Sequence, residues 1–195
     1  MLFRSHFWTI FDGAFARGAA AITVHGRTVQ QKYVGPSDWE FLAEVKRHAG
    51  ERTVIGSGDL FSAAACVAML ERTGVDGVSV ARGAIGNPWI FAQTLALLAG
   101  GPLPPPPTIH EQRDVLREHW ALSMELHGEA VAGRSMRKFA IKYARVHPDH
   151  LAVRDAFIAV KVNADWQTVL DRFYAADGPG RDPAADVDEV TSCEA

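Results

Sequence analysis

Val78-Ser79-Val80-Ala81-Arg82-Gly83-Ala84-Ile85-Gly86-Asn87-Pro88-Trp89 is the stretch whose reading decides the fold. It reads as a short apolar strand that stops at Arg82-Gly83, a glycine-spaced turn, and a helix that begins near Pro88. A strand that delivers such a turn to a helix gathers backbone N–H groups and the positive end of a helix dipole at one point, which suits a phosphate. Arg82 strengthens that reading, because a guanidinium at the end of a buried strand can grip a phosphate with two parallel hydrogen bonds. The plainer alternative is a salt bridge at the rim.

Working upstream, the same pattern recurs twice. Residues 1–20 carry Phe3, Phe7, Trp8, Ile10, Phe11 and Phe15 at helical spacing, and Gly18 ends that helix. Ala20 to Val24 is a buried strand closed by His25-Gly26-Arg27-Thr28, and Ser37 is placed to cap the helix that follows. Thr53 to Ile55 is a second strand, Gly56-Ser57-Gly58-Asp59 its loop, and Ser62 to Thr73 a helix in which Cys66 faces inward. Asp59 is a candidate cap for that helix, and glycines on either side of Ser57 allow a ligand close to the backbone. Asp76 to Val80 is the third strand. Three strand-loop-helix units imply parallel strands with right-handed crossovers, leaving a doubly wound sheet or a barrel segment, with the three loops on one rim.

Downstream, Gly100-Gly101-Pro102-Leu103-Pro104-Pro105-Pro106-Pro107 is neither helix nor central strand and reads as a stiff linker. Beyond it the pattern is helical, over about 110–127, 135–146, 151–160 and 165–174. Arg134, Arg137, Lys138, Lys142 and Arg145 fall in twelve residues without an acid, and positions 134, 138, 142 and 145 make a stripe on one helix face. Five cations of one sign point to a phosphate-backbone partner, where an ordinary solvated face mixes signs. From Ala176 the chain turns acidic and rich in glycine and proline, the composition of a disordered tail.

Composition sets the outer limits. The chain has 195 residues, 48% hydrophobic and 22% charged, with a net charge of −3, and its apolar runs fall short of the roughly 20 residues of a membrane span. The expectation is a cytoplasmic protein with no membrane partner. Two cysteines, Cys66 and Cys193, suggest neither a disulfide framework nor a metal site. Walker, GxGxxG, HExxH and CxxC patterns do not occur.

Taken together, Thr23-Val24-His25-Gly26-Arg27-Thr28, Val54-Ile55-Gly56-Ser57-Gly58-Asp59, Gly74-Val75-Asp76-Gly77-Val78 and Ala81 to Trp89 resemble the tRNA-dihydrouridine synthases, as does Arg137-Lys138 in a helical domain after a proline-rich linker. The resemblance runs from about Gly18 to Tyr174. It implies an α/β fold, the C-terminal portion (about three strands) of an FMN-binding TIM (β/α)8 barrel, followed by a small all-α helical bundle. The corresponding domains are 1–99, a partial barrel; 100–107, a linker; 108–175, a helical tRNA-binding domain; and 176–195, a disordered acidic tail. It also implies a flavin-dependent oxidoreductase in which NADPH reduces FMN, hydride passes to uridine C6, and a cysteine acid protonates C5. His25 would contact the flavin, Ser57, Gly58 and Asp59 its phosphate or ribityl side, and Ala81 with Arg82 its phosphate. Arg134, Arg137, Lys138, Lys142 and Arg145 would touch the tRNA backbone. Removing a base from the stack to meet a flavin calls for such a clamp.

The chain departs from the family pattern where Ser57 replaces the usual Asn and Phe139 the usual His. The matched segments are the family's last three strands, so the catalytic cysteine and flavin-contacting lysine have no counterpart here, and Cys66 is not promoted to the role. A barrel of this type takes roughly 250 residues. Three strands alone are therefore expected to leave Ile22, Val24, Val54, Val78 and Val80 facing an open interior, at roughly 1.5–3 kcal/mol for each lost burial, until a second polypeptide or another copy covers them. Two alternatives remain open at this level: a non-catalytic tRNA-binding remnant, and an unrelated flavin- or phosphate-binding barrel enzyme.

Overall fold

The structure is a computed structural model that describes residues 2–32 and 34–182. It divides into two compact units between Arg82 and Gly83. The division falls before the helix that follows the opening stretch, earlier than the proline-rich run expected as the boundary.

The first unit contains α1 (Leu2–Ala16), β1 (Ala21–His25), α2 (Trp39–Ala49), β2 (Thr53–Ser57), α3 (Ala63–Thr73) and β3 (Gly77–Val78). The strands are parallel in the order β1-β2-β3, with His25 opposite Ser57 and Gly56 opposite Val78. Consecutive strands that are also neighbours show no reversal of winding, so this sheet is singly wound and lacks the switch point of a doubly wound one. Alternation along the strands then decides which side chains meet the helices. Val24 and Val54 are 4% and 0% exposed, and a Cβ on Gly56 would lie 2.8 Å from the Met69 sulfur of α3. Ala21, Thr23 and His25 are exposed. This corrects the expectation that Val24 and Val54 face an open interior. The strand period turns them toward the helices, so the three-stranded sheet keeps its main apolar burial without further strands.

Local capping explains the helix starts. Asp38, not Ser37, caps α2, its carboxylate accepting from the Phe41 amide at 2.8 Å. Ser62 caps α3, accepting from the Ala65 amide at 3.1 Å, so Asp59 is no cap. Across the outer layer, Phe7 of α1 meets Phe41 of α2 with ring centroids 5.1 Å apart. β3 is shorter than expected: after Ser79 donates to the Gly56 carbonyl at 2.8 Å, the chain leaves the sheet and makes a 3-10 turn over Arg82–Ala84.

The second unit contains α4 (Ile90–Leu98), α5 (Ile109–His127), α6 (Glu129–Tyr143), α7 (His150–Ala159) and α8 (Asn163–Phe173). Helices α5 to α8 share one core, in which Trp120 stacks on Trp166 at 4.5 Å between centroids and Phe157, Met136 and Leu170 fill the space between. Thr108 and Glu111 form a reciprocal capping box at the start of α5. α6 begins six residues before the expected start, because Gly133 continues the helix and allows close packing; a Cβ there would lie 3.2 Å from the Lys161 carbonyl. Residues 177–181, expected in a disordered tail, are pinned to this unit: the Ile109 amide donates to the Gly178 carbonyl at 2.9 Å and the Arg181 amide to the Val146 carbonyl at 2.8 Å. Residues 183–195 of that expected tail lie outside the described residues. Among the described residues, no helix is long and apolar enough to cross a membrane.

Candidate functional site

The C-terminal edge of the sheet gathers the residues singled out in the first unit. His25 and Ser57 are register partners on the face turned away from the helices, and the Ser57 hydroxyl donates to the Ser79 carbonyl at 3.0 Å. Ser57 is 3% exposed, whereas His25 and Ala81 are exposed. Asp59 stands between two arginines. Its Oδ2 lies 2.7 Å from Arg27 Nη2 and its Oδ1 lies 3.6 Å from Arg82 Nη2. The Ser37 amide donates to Oδ2 at 2.8 Å, and Arg27 also donates through Nε to the Gly35 carbonyl at 3.1 Å. Arg82 lies over the Phe61 ring at 5.1 Å, with 23% of its side chain accessible. The edge therefore exposes His25 and leaves the Arg82 and Asp59 side chains each about a quarter accessible, at 23% and 25%, while Ser57 spends its hydroxyl inside the protein.

Two residues at the start of helix α2, Ser37 and Trp39, hold this edge together. Ser37 sits wedged between the first two rim loops, so that a Cβ on either Gly26 or Gly58 would come within 2.1 Å of its Oγ. The glycine at 58 thus makes room for Ser37. Trp39 donates its indole N–H to the Gly58 carbonyl at 3.2 Å, with Arg72 over its ring at 5.0 Å. The available signal was the pair of glycines flanking Ser-Asp-Trp in different loops. Beside this edge, a cleft of about 550 Å³ is lined by Phe7, Val24, His25, Arg27, Val29 and Phe41.

The third stretch behaves differently from its first reading as a phosphate turn. Gly86 has φ +77 and packs flush on α6, where a Cβ would lie 2.4 Å from the Lys142 carbonyl carbon. Trp89 packs against the helical core. The glycine serves contact between chain segments.

In the second unit, Ala132, Met136, Ala140 and Tyr143 of α6 point into the core. Arg134, Arg137 and Lys138 are exposed and Lys142 half-buried on the opposite side, and none of the four enters an ion pair among the described residues. Arg145 departs from the expected stripe. It lies in the 3-10 turn Ala144–Val146, half-buried and already engaged. Beside this face the sequence reading passed over His119 of α5, whose ring lies 5.0 Å from Phe139 and whose Nδ1 is 3.4 Å from the Tyr143 hydroxyl. Burial holds the His119 pKa below its ordinary value; burial, and then the Glu118 charge, raise that of Tyr143. Among the described residues, no group of three or more His, Cys, Asp or Glu is placed to hold a metal.

Comparison with known proteins adds to this geometry. A sequence model for the family described as dihydrouridine synthase matches residues 5–176. A probable tRNA-dihydrouridine synthase of Mycobacterium tuberculosis (strain H37Rv) is 40% identical over 159 residues, covering 82% of this chain and 41% of that protein. The tRNA-dihydrouridine synthase B of Xanthomonas campestris pv. campestris is 39% identical over 157 residues, 80% of this chain and 47% of its own. A probable tRNA-dihydrouridine synthase of Rickettsia prowazekii is 36% identical over 157 residues, 80% and 48% respectively. The chain spans less than half the length of these curated relatives.

Proposed function

Because this chain belongs to the dihydrouridine synthase family, we propose that it forms the cofactor-phosphate rim and the tRNA-holding helices of a tRNA-dihydrouridine synthase, an FMN-dependent (β/α)8-barrel oxidoreductase that uses NADPH to reduce uridine to 5,6-dihydrouridine. A singly wound parallel sheet with its helices on one face is the wall of such a barrel. The rim fits a flavin phosphate in part. Arg82 offers an accessible guanidinium beside the exposed backbone of Ala81, and His25 stands on the same edge for the ring. Ser57 braces this edge from within, and Asp59 stands beside Arg82. FMN, when bound, supplies the hydride chemistry at uridine C6. The chain's own part is to neutralise the phosphate through Arg82, to orient the ring from His25, and to hold tRNA phosphates along Arg134, Arg137, Lys138 and Lys142.

The observation that carries the reading is the partly accessible guanidinium of Arg82 in the 3-10 turn that follows the third strand, near the edge where His25 is exposed. Charge-assisted hydrogen bonds contribute about 1.5–3 kcal/mol each, so Arg82→Ala is expected to weaken FMN binding by about tenfold or more in a flavin-fluorescence titration of the full chain. Equal affinity for wild type and variant overturns the assignment. A second reading, tRNA binding without turnover, is favoured by Cys66, which is fully buried in α3 and unable to meet a substrate. Reduction of uridine in unmodified tRNA by this chain alone, with NADPH and FMN supplied, would exclude it.

A further inference from the structure

We infer that Asp59 is a positioning residue whose carboxylate clasps both ends of the 28–36 loop and orients Arg82. Both carboxylate oxygens face cations, and Oδ2 is fully engaged. Oδ2 takes Arg27 at 2.7 Å and the Ser37 amide at 2.8 Å, and Oδ1 faces Arg82 at 3.6 Å. A carboxylate aimed at a phosphate repels it, whereas one placed behind an arginine fixes where the guanidinium points. Arg27 and Ser37 bracket the loop, so one side chain holds its two ends. Arg27 adds a second tie by donating to the Gly35 carbonyl.

Asp59 itself is held for this task. Its φ is +58, a left-handed conformation that Asp tolerates better than most residues, and the preceding Gly58 has φ +135. The Trp39 indole ties the Gly58 carbonyl in place at 3.2 Å, and Ser37 fills the space between Gly26 and Gly58. Between its clasped ends the loop carries Val29 and Val34, 94% and 78% exposed, and Val29 lines the cleft of about 550 Å³. Asp59 thereby sets where the mouth of that cleft stands relative to Arg82.

The clasp rests on the proposed rim only for the task given to Arg82. Tryptic cleavage after Lys32, inside the loop, tests it in the full chain without any ligand. Asp59→Asn keeps the backbone conformation accessible but loses the charge. It is expected to speed cleavage after Lys32 by about tenfold, with cleavage in the unit from Gly83 onward unchanged. Arg27→Gln should do the same, and the effect of the double variant should fall short of the product of the two single effects, because both break the Arg27–Asp59 pair. An unchanged rate in Asp59→Asn, or rates that multiply in the double variant, overturns the inference. Should a variant lose its fold by circular dichroism, hydrogen exchange in the wild type decides. The Ser37 amide is expected to exchange on the order of a hundredfold more slowly than that of Gln30, and equal rates overturn the clasp. If Arg82→Ala leaves FMN affinity unchanged while these results hold, the cofactor reading falls and the clasp stands.

Discussion

Single residues in this chain matter most where two backbones meet. Gly86 has φ +77 and lies against the Lys142–Tyr143 peptide, so any Cβ collides with backbone that has no rotamer to yield. Gly86→Ala is expected to cost about 2–4 kcal/mol, read as a lowered urea midpoint of the helical unit. His147 makes a different prediction. It is 2% exposed, with Nε2 2.9 Å from the Phe173 carbonyl and Nδ1 3.0 Å from the Asp149 amide. The second contact needs a bare Nδ1, so the ring is held neutral, and burial keeps its pKa below the ordinary value. The unfolded chain therefore binds more protons than the folded one in weak acid, and stability rises with pH. It is full above about pH 6.5, the unfolded value, and is lost as pH falls toward the lowered folded value. The urea midpoint at pH 7.5 should exceed that at pH 5.5, and His147→Gln should flatten the difference. Neither residue was legible beforehand. Gly86 read as a ligand turn because a glycine that admits a phosphate and one that admits another backbone look alike in sequence, and nothing local marks His147 as buried.

At the scale of elements, periodicity was legible and facing was not. The strand positions near Val24, Val54 and Val78 and the helices on either side of them stand close to where hydrophobic patterning puts them, but the pattern does not say which side of a strand the helices cover. The structure places Val24 toward them and Thr23 away. Val24→Ala should therefore cost about 2 kcal/mol or more, whereas Thr23→Ala should stay within roughly 0.5 kcal/mol; reversed costs in thermal or urea unfolding contradict the facing. On α6 the cationic positions were legible because an acid-free run needs no tertiary information. The helix start was missed because Gly133 looks like a terminator until the close approach of Lys161 is seen. The displacement of Arg145 follows from the change of pitch in the 3-10 turn.

At the scale of the molecule, two units with different chemistry share one chain. The first gathers Arg27, Asp59 and Arg82 at a sheet edge, and the second carries a cationic face with its own packed core behind it. The candidate rim was legible as far as its loops, since strand-end glycines and Arg82 announce themselves. The clasp of Asp59, Arg27 and Ser37 was not, because it joins the two ends of one loop to a residue of the next, 22 or more positions away. The proposed function has the chain hold tRNA through the outward face of α6. It is tested most directly by titrating binding to an unmodified tRNA transcript against salt for the wild type and for the Arg134→Gln/Lys138→Gln/Lys142→Gln variant. These side chains lie outside the core, so the variant should keep its unfolding midpoint. For the wild type, the logarithm of the binding constant should fall steeply with the logarithm of salt concentration. The variant should bind more weakly, with a slope smaller by about 0.7 to 0.9 for each phosphate it no longer neutralises. A slope that is the same in both proteins, or wild-type binding that ignores salt, contradicts the account.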